Sequence, residues 1–170
     1  PIMPVLDTIT IIVPTYKRYG FLLRLFKYYD EFNLLTKFII LDATPEQPND
    51  KELLKFLSKK NVIWERFQPN VMFWDRIVAC SELISTKYVA LCADDDFIIP
   101  SGMEKCIDVL ESNNEYASAC GLFFIHTSTE KALRNGFSIH PLYENRSPRS
   151  PEEQDSALDR VTDYFSGKTA

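Results

Sequence analysis

The sequence predicts an α/β fold with a mostly parallel central sheet and helices on both of its faces. Short, continuous apolar segments have the length of buried strands. They alternate with amphipathic segments of helix length over the first two thirds of the 170-residue chain. Several of the apolar segments stop directly at a proline or an aspartate. Strands that are apolar throughout are typical of parallel sheets covered by helices on both sides.

Five segments are predicted as strands and five as helices. The predicted strands are residues 8–13, 38–41, 62–64, 88–92 and 118–125. The predicted helices are residues 21–32, 49–57, 72–84, a segment that begins at residues 100–101, and residues 150–165. Asn49 with Glu52, and Ser101 with Glu104, have the spacing of capping pairs, so we expect them to cap the second and fourth helices.

Composition and charge narrow the classes of function. The net charge of −5 argues against a nucleic-acid partner, which would require a basic face. No apolar run reaches the length of a transmembrane helix, and residues 1–4 lack the features of a signal peptide. We therefore expect a cytoplasmic protein, with membrane association through regions outside this chain left open. The 4 cysteines form no C-x-x-C pair and are expected to be free, mostly buried thiols.

Polar residues that follow the predicted strands are the candidate site residues. Ligands of parallel α/β sheets bind at the carboxyl ends of the strands, near the point where the strand order reverses. Thr15 and Tyr16 follow the first strand, Asp42 ends the second, and residues 94–96 follow the fourth. These side chains are therefore expected at one edge of the sheet.

The three consecutive aspartates at residues 94–96 give the most specific signal. Adjacent carboxylates repel one another unless a positive charge compensates them. Mg²⁺ or Mn²⁺ is the usual partner, because it takes one or two carboxylates and completes its shell with phosphates and water. The alternative is a solvated acidic turn ahead of the helix that begins at Pro100. The position at a strand end favours the metal.

Three segments in order resemble one enzyme family. The string YVALCADDDFIIP at residues 88–100 resembles the D-x-D segment of family 2 GT-A glycosyltransferases. TIIVPTYKR at residues 10–18 resembles the first strand and nucleotide-binding loop of that family, and FIILDAT at residues 38–44 resembles its second strand. The resemblance covers residues 8–125. It departs from the usual pattern at Ala93 and at Ala43, which leaves the donor sugar open.

The resemblance implies a nucleotide diphosphate sugar as donor and Mn²⁺ or Mg²⁺ as cofactor. It implies that Asp95 binds the metal, with Asp96 as a second metal ligand or a turn former, and that Asp94 contacts the ribose. Asp42 corresponds to the residue that accepts a hydrogen bond from the base; its alternative is a simple strand end. The loop Pro14, Thr15 and Tyr16 corresponds to the part that packs against the nucleoside.

The diphosphate has three candidate partners. Arg76 lies in the helix before the acidic strand, where the family often carries an arginine, although its register differs. Lys17 and Arg66 compete for the same role. Each of the three residues could instead be an ordinary surface cation.

The implied reaction moves the sugar to an acceptor hydroxyl, such as that of a glycan, with inversion at the anomeric carbon. The family takes its general base from the second half of the fold, where Asp155, Asp159 and Asp163 match no family motif. We expect residues 1–126 to form the donor-binding part and residues 127–170 to begin the acceptor-side region of the same domain. The missing initiator Met suggests an excised segment that is truncated in its acceptor half, so it should bind donor but transfer sugar poorly.

Two other functions remain open. One is a degenerate GT-A domain that binds a nucleotide sugar without transfer. The other, less favoured, is a sugar nucleotidyltransferase, because these enzymes carry a glycine-rich loop where this chain has residues 14–18. No G-x-G-x-x-G, P-loop or G-x-S-x-G motif is present, which disfavours dinucleotide-binding proteins, P-loop enzymes and α/β-hydrolases.

Overall fold

Strands and helices alternate along the part of the chain that the computed structural model describes, residues 8–34 and 36–121. The strands are β1 (Ile9–Thr15), β2 (Lys37–Asp42), β3 (Val62–Arg66) and β4 (Tyr88–Leu91). The helices are α1 (Tyr19–Glu31), α2 (Lys51–Leu57), α3 (Phe73–Cys80) and α4 (Pro100–Ser112), and a short 3₁₀ turn, Ser81–Leu83, follows α3. The described residues belong to one compact unit, Pro1–Gly121.

The four strands form one sheet in which all neighbours are parallel, in the order β3-β2-β1-β4. This confirms the predicted α/β class with a parallel sheet. The strand order reverses between β1 and β4, because the chain builds outward from β1 to β3 and then returns to the other side of β1. The carboxyl ends of β1 and β4 therefore flank the topological switch point, where ligands of such sheets bind.

Alternate residues of the central strands pack against helices on opposite faces. Ile11 of β1 belongs to a core cluster that includes Leu25 of α1, Leu53 of α2 and Met103 of α4. Ile12, the next residue, belongs to a second cluster with residues of α3. Since successive side chains of a strand point to opposite faces, three helices cover one face and α3 covers the other. The prediction of helices on both faces is confirmed.

The larger core cluster depends on the apolar stripe of α1. Its buried residues, Leu22, Leu25, Phe26 and Tyr29, follow the spacing of one helix face. The ring of Phe26 stacks on that of Phe56 with centroids 5.5 Å apart. Burial of each such side chain stabilises the fold by about 1.5–3 kcal/mol. A charged residue at position 25 would therefore disrupt this cluster.

Both predicted capping pairs are wrong. Asp50, and not Asn49, caps α2: its Oδ1 accepts hydrogen bonds from the backbone N–H groups of Glu52 at 2.8 Å and Leu53 at 3.0 Å. Aspartate and asparagine are equally good caps, so the sequence alone does not choose between neighbours. Helix α4 begins at Pro100 without any side-chain cap. Proline suits this position without a cap, because it has no backbone N–H that a capping side chain would need to satisfy.

Other predicted boundaries differ at the ends of elements. The third helix was expected to reach residue 84 but ends at Cys80, where the 3₁₀ turn begins. The fifth strand was expected over residues 118–125, yet residues 118–121 are not in a strand, and residues 122–125 lie outside the described part. The predicted helix 150–165 and the boundary at residue 126 also lie outside it. Within residues 8–34 and 36–121, no helix is long and apolar enough to cross a membrane.

The four cysteines are free thiols, as expected, but their burial differs. Cys80 and Cys92 are buried, Cys106 is partly buried and Cys120 is exposed. Burial raises the pKa of the Cys92 thiol to about 11. Cys92 is therefore a packing residue that stays protonated at neutral pH.

Candidate functional site

A buried hydrogen bond joins the ends of β1 and β4 at the switch point. The Thr15 hydroxyl donates to Oδ2 of Asp94 over 2.7 Å, and the relative exposure of both residues is 3%. Thr15 is the last residue of β1, and Asp94 lies three positions after the end of β4. The prediction that these two residues meet at one edge of the sheet is confirmed. A charge-assisted bond of this kind, shielded from water, holds Asp94 in one orientation.

Arg18 lies across the acidic cluster. Its Nη1 is 3.2 Å from Oδ1 of Asp94, and its Nη2 is 2.5 Å from Oδ2 of Asp95. The side chains of Arg18 and Asp95 are 40% and 42% exposed, so water reaches this pair. Arg24 adds a second guanidinium, which donates to the backbone carbonyl of Asp95 over 3.0 Å. An arginine of the chain thus supplies positive charge at the position where the sequence predicts a metal.

The two paired carboxyls respond in opposite ways to their surroundings. Burial raises the pKa of Asp94 above its ordinary value, although the Thr15 hydrogen bond and the charge of Arg18 act against this. The hydrogen bond from Arg18 lowers the pKa of Asp95, with a further contribution from the positive charge itself. The cluster therefore contains one enclosed carboxyl and one accessible carboxylate.

Asp96 forms a turn. It is exposed, and its backbone N–H donates to the carbonyl of Ala93 over 3.1 Å. The turn-forming role, one of its two predicted roles, therefore has a structural basis.

The acidic cluster alone is a small donor set for a metal. Among the described residues, no group of three or more His, Cys, Asp and Glu side chains is placed to hold a metal ion. Mg²⁺ and Mn²⁺ prefer hard oxygen ligands, which the Asp95 and Asp94 carboxylates offer. These residues fit a divalent cation only where phosphate oxygens of a ligand complete its shell.

Asp42 is enclosed by hydrogen-bond donors of the protein itself. It ends β2 beside Thr15 and has no exposed surface. Its Oδ1 accepts from the backbone N–H of Thr44 at 2.8 Å, and its Oδ2 accepts from the hydroxyl of Tyr19 at 2.8 Å and the indole N–H of Trp64 at 3.1 Å. Arg66 lies 3.8 Å away. A nucleotide base could reach this carboxylate only by displacing one of these donors, so its role in reading the base stays a prediction.

The loop after β2 is fixed by Arg66 of β3. The guanidinium donates to the backbone carbonyls of Thr44, Pro45 and Glu46. The Thr44 hydroxyl in turn accepts from the backbone N–H of Lys17 at 2.8 Å. Lys17 has a φ of 56°, a conformation that a residue with a Cβ adopts only at some cost in energy. These bonds hold the loop that contains Lys17 against the loop that follows β2.

The remaining predicted residues lie at different distances from the cluster. Tyr16 is 44% exposed and Pro14 is partly buried, in register with Leu41. Arg76 donates to the carbonyl of Leu41 over 3.1 Å, while its Nε is buried without a partner. No hydrogen bond or ion pair connects Arg76 to residues 94–96 within the described part of the chain. Arg76 is thus held beside β2 and does not join the acidic cluster.

Next to the cluster, a surface depression of about 330 Å³ lies at the start of α1. Its lining residues are Lys17, Arg18, Tyr19, Gly20, Phe21 and Arg24. Arg18, Arg24, Tyr19 and Trp64 were not predicted as site residues from the sequence. Two features of the sequence could have indicated them. Arg18 ends the segment 10–18 that resembles the nucleotide-binding loop, and Trp64 lies near the carboxyl end of the predicted strand that follows Asp42.

No model of a known protein family matches the chain, and no curated protein has a similar sequence. The assignment of function therefore depends on the residues, the fold and the geometry of the switch point.

Proposed function

We propose that this chain is the nucleotide-sugar-binding part of a metal-dependent, inverting glycosyltransferase of the GT-A type. The observation that carries the proposal is the bond between Thr15 and Asp94 at the switch point, with the accessible carboxylate of Asp95 directly beside it. A parallel sheet with this strand order binds ligands at that place. Accessible carboxylates there suit a ligand that brings its own phosphates and a divalent cation.

Each residue of the site has a distinct role in this proposal. Asp95 would hold Mn²⁺ or Mg²⁺, with Asp96 as the second candidate, and the metal would stabilise the negative charge that grows on the leaving diphosphate. Thr15 fixes Asp94, which would face the ribose. Tyr16 is exposed at the end of β1 and would pack on the nucleoside. Arg18 and Arg24 would bring two positive charges to the diphosphate.

The acceptor side is proposed to begin at residue 127. Sugar transfer needs a carboxylate that removes the acceptor proton, and its loss typically costs about 10²- to 10⁴-fold in rate. The candidates Asp155, Asp159 and Asp163 lie outside the described residues. Comparing transfer by this segment and by a longer parent protein, with the same donor and acceptor, would locate the base.

A thermal-shift series tests donor binding. UDP, GDP and their sugars are added to the chain with Mn²⁺ and with EDTA. A ligand at a hundred times its dissociation constant stabilises the folded state by about 2.7 kcal/mol, which is readily measured. We expect at least one nucleotide to stabilise the protein with Mn²⁺ and to lose most of this effect in EDTA. Asp95→Asn should remove the metal-dependent part, whereas Asp108→Asn, at an exposed position of α4, should not.

One observation favours a second function, a GT-A domain that binds without transfer. Arg18 already compensates Asp94 and Asp95, so the acidic cluster is stable without a metal. Nucleotide stabilisation that is equal in Mn²⁺ and EDTA, together with no turnover by the longer protein, would support this second function.

A further inference from the structure

We infer that Arg18 exchanges its partners when the donor binds: it releases Asp94 and Asp95, which frees Asp95 for the metal, and takes the diphosphate instead. This inference rests on the proposed function and assigns Arg18 the role of coupling metal binding to nucleotide binding. It predicts that metal and nucleotide bind cooperatively, because neither alone can replace both contacts of Arg18.

The atoms that Arg18 occupies are those a metal would need. Its two terminal nitrogens contact Oδ1 of Asp94 and Oδ2 of Asp95. The second oxygen of Asp94 is already committed to Thr15. A cation bound to the Asp95 oxygen would lie close to the guanidinium and repel it. Metal binding in the absence of nucleotide must therefore compete with Arg18.

The side chain of Arg18 can move while its backbone stays in place. The backbone carbonyl accepts hydrogen bonds from the N–H groups of Phe21 at 2.9 Å and Leu22 at 3.2 Å, which anchors the residue at the start of α1. The guanidinium lies over the ring of Phe21, with its central carbon 4.5 Å from the ring centroid, and is 40% exposed. The pair with Asp95 is exposed at both side chains, and such an ion pair is weak, so it can be exchanged for a stronger one.

A diphosphate would give Arg18 that stronger partner. The depression beside the cluster has a volume of about 330 Å³, and its lining includes three cationic residues, Arg18, Arg24 and Lys17. Arg24 is held there by the Asp95 carbonyl and by the rings of Phe21 and Phe97, which makes it the fixed member. Guanidinium groups bind phosphate oxygens in a bidentate manner, which matches the two nitrogens that Arg18 would release.

The test measures Mn²⁺ binding directly, from the electron paramagnetic resonance signal of free Mn²⁺, with and without UDP or GDP. Wild-type protein should bind Mn²⁺ weakly alone and about tenfold more tightly with the nucleotide that it accepts. Arg18→Gln should bind Mn²⁺ alone more tightly than wild type, and the nucleotide should then tighten Mn²⁺ binding by less than about threefold. Arg18→Lys keeps the positive charge but lacks the paired N–H donors of the guanidinium, so its Mn²⁺ affinities should lie between those of wild type and Arg18→Gln.

A matched control removes a positive charge from the same helix without touching the site. Lys27 of α1 pairs with Glu52 and is exposed, so Lys27→Gln should behave as wild type. Circular dichroism and thermal unfolding establish that each variant is folded. If wild type shows metal-dependent nucleotide binding but Arg18→Gln leaves both Mn²⁺ affinities unchanged, the exchange is wrong and the proposed function stands. If wild type binds neither nucleotide under any condition, both are overturned.

Discussion

Replacing Asp42 tests whether the buried carboxylate is a structural anchor of the site. In Asp42→Ala, the backbone N–H of Thr44, the hydroxyl of Tyr19 and the indole N–H of Trp64 lose their common acceptor. Each buried donor left without a partner costs about 1–3 kcal/mol. Tyr19 and Trp64 are only partly buried, so water can satisfy part of this loss. We therefore expect a decrease of about 3–5 kcal/mol in the free energy of unfolding.

The assay is urea unfolding followed by circular dichroism, with two comparison variants. Asp50→Ala removes the cap of α2 and should cost about 1 kcal/mol, which calibrates the loss of an exposed acceptor. Asp42→Asn keeps the shape and one acceptor oxygen, so it should cost less than the alanine variant. If Asp42→Ala unfolds at the same urea concentration as Asp50→Ala, the buried hydrogen bonds around Asp42 do not hold the site together.

The same variants separate the anchoring role from the predicted reading of the base. Asp42→Asn, studied at a temperature where it is fully folded, should keep the nucleotide preference of wild type if Asp42 only positions Tyr19 and Trp64. A changed preference between UDP and GDP, with unchanged dependence on Mn²⁺, would instead assign the base contact to Asp42.

Three further predictions concern the charge pair, the thiols and the core. Arg18→Gln should raise the pKa of Asp95, measured by carboxyl NMR. Because the pKa of Asp95 in the folded wild type is lowered, wild type should be more stable than the variant at neutral pH, and this difference should disappear as pH falls below the ordinary value near 3.8. Cys120 should react with a thiol reagent before Cys92, which is buried with a pKa of about 11; equal rates would contradict the packing. Leu25→Ala should cost about 2–5 kcal/mol in urea unfolding, and a smaller loss would show that the α1 stripe is not the core.

The sheet and its helices could be predicted because their signal lies in local pattern. Continuous apolar segments identified the four strands of residues 8–34 and 36–121. Ile11 and Ile12 are both buried but belong to core clusters on opposite faces, which follows from the alternation of side chains in any strand. The capping residues could not be predicted, because Asn49 and Asp50 suit the same role and only the path of the chain decides between them.

The site was predictable in its position and not in its internal bonds. The rule that ligands bind at strand ends placed Thr15, Asp42 and Asp94 together. The rule does not say what fills the space between them. Arg18 meets Asp95 across 77 positions of sequence, and Trp64 donates to Asp42 across 22, so both contacts depend on the packing of strands and loops.

Paramagnetic NMR with Mn²⁺ and the preferred nucleoside diphosphate tests whether a metal and a diphosphate bind at the switch point. Mn²⁺ broadens amide signals within a limited distance, and Mg²⁺ serves as the diamagnetic control. We expect nucleotide-dependent broadening centred on the amides of residues 94–96 and extending to residues 15–18. The amide of Asn61, at the opposite end of the sheet, should be unaffected. Broadening centred elsewhere, or the same broadening without nucleotide, would contradict a metal and diphosphate site at the switch point.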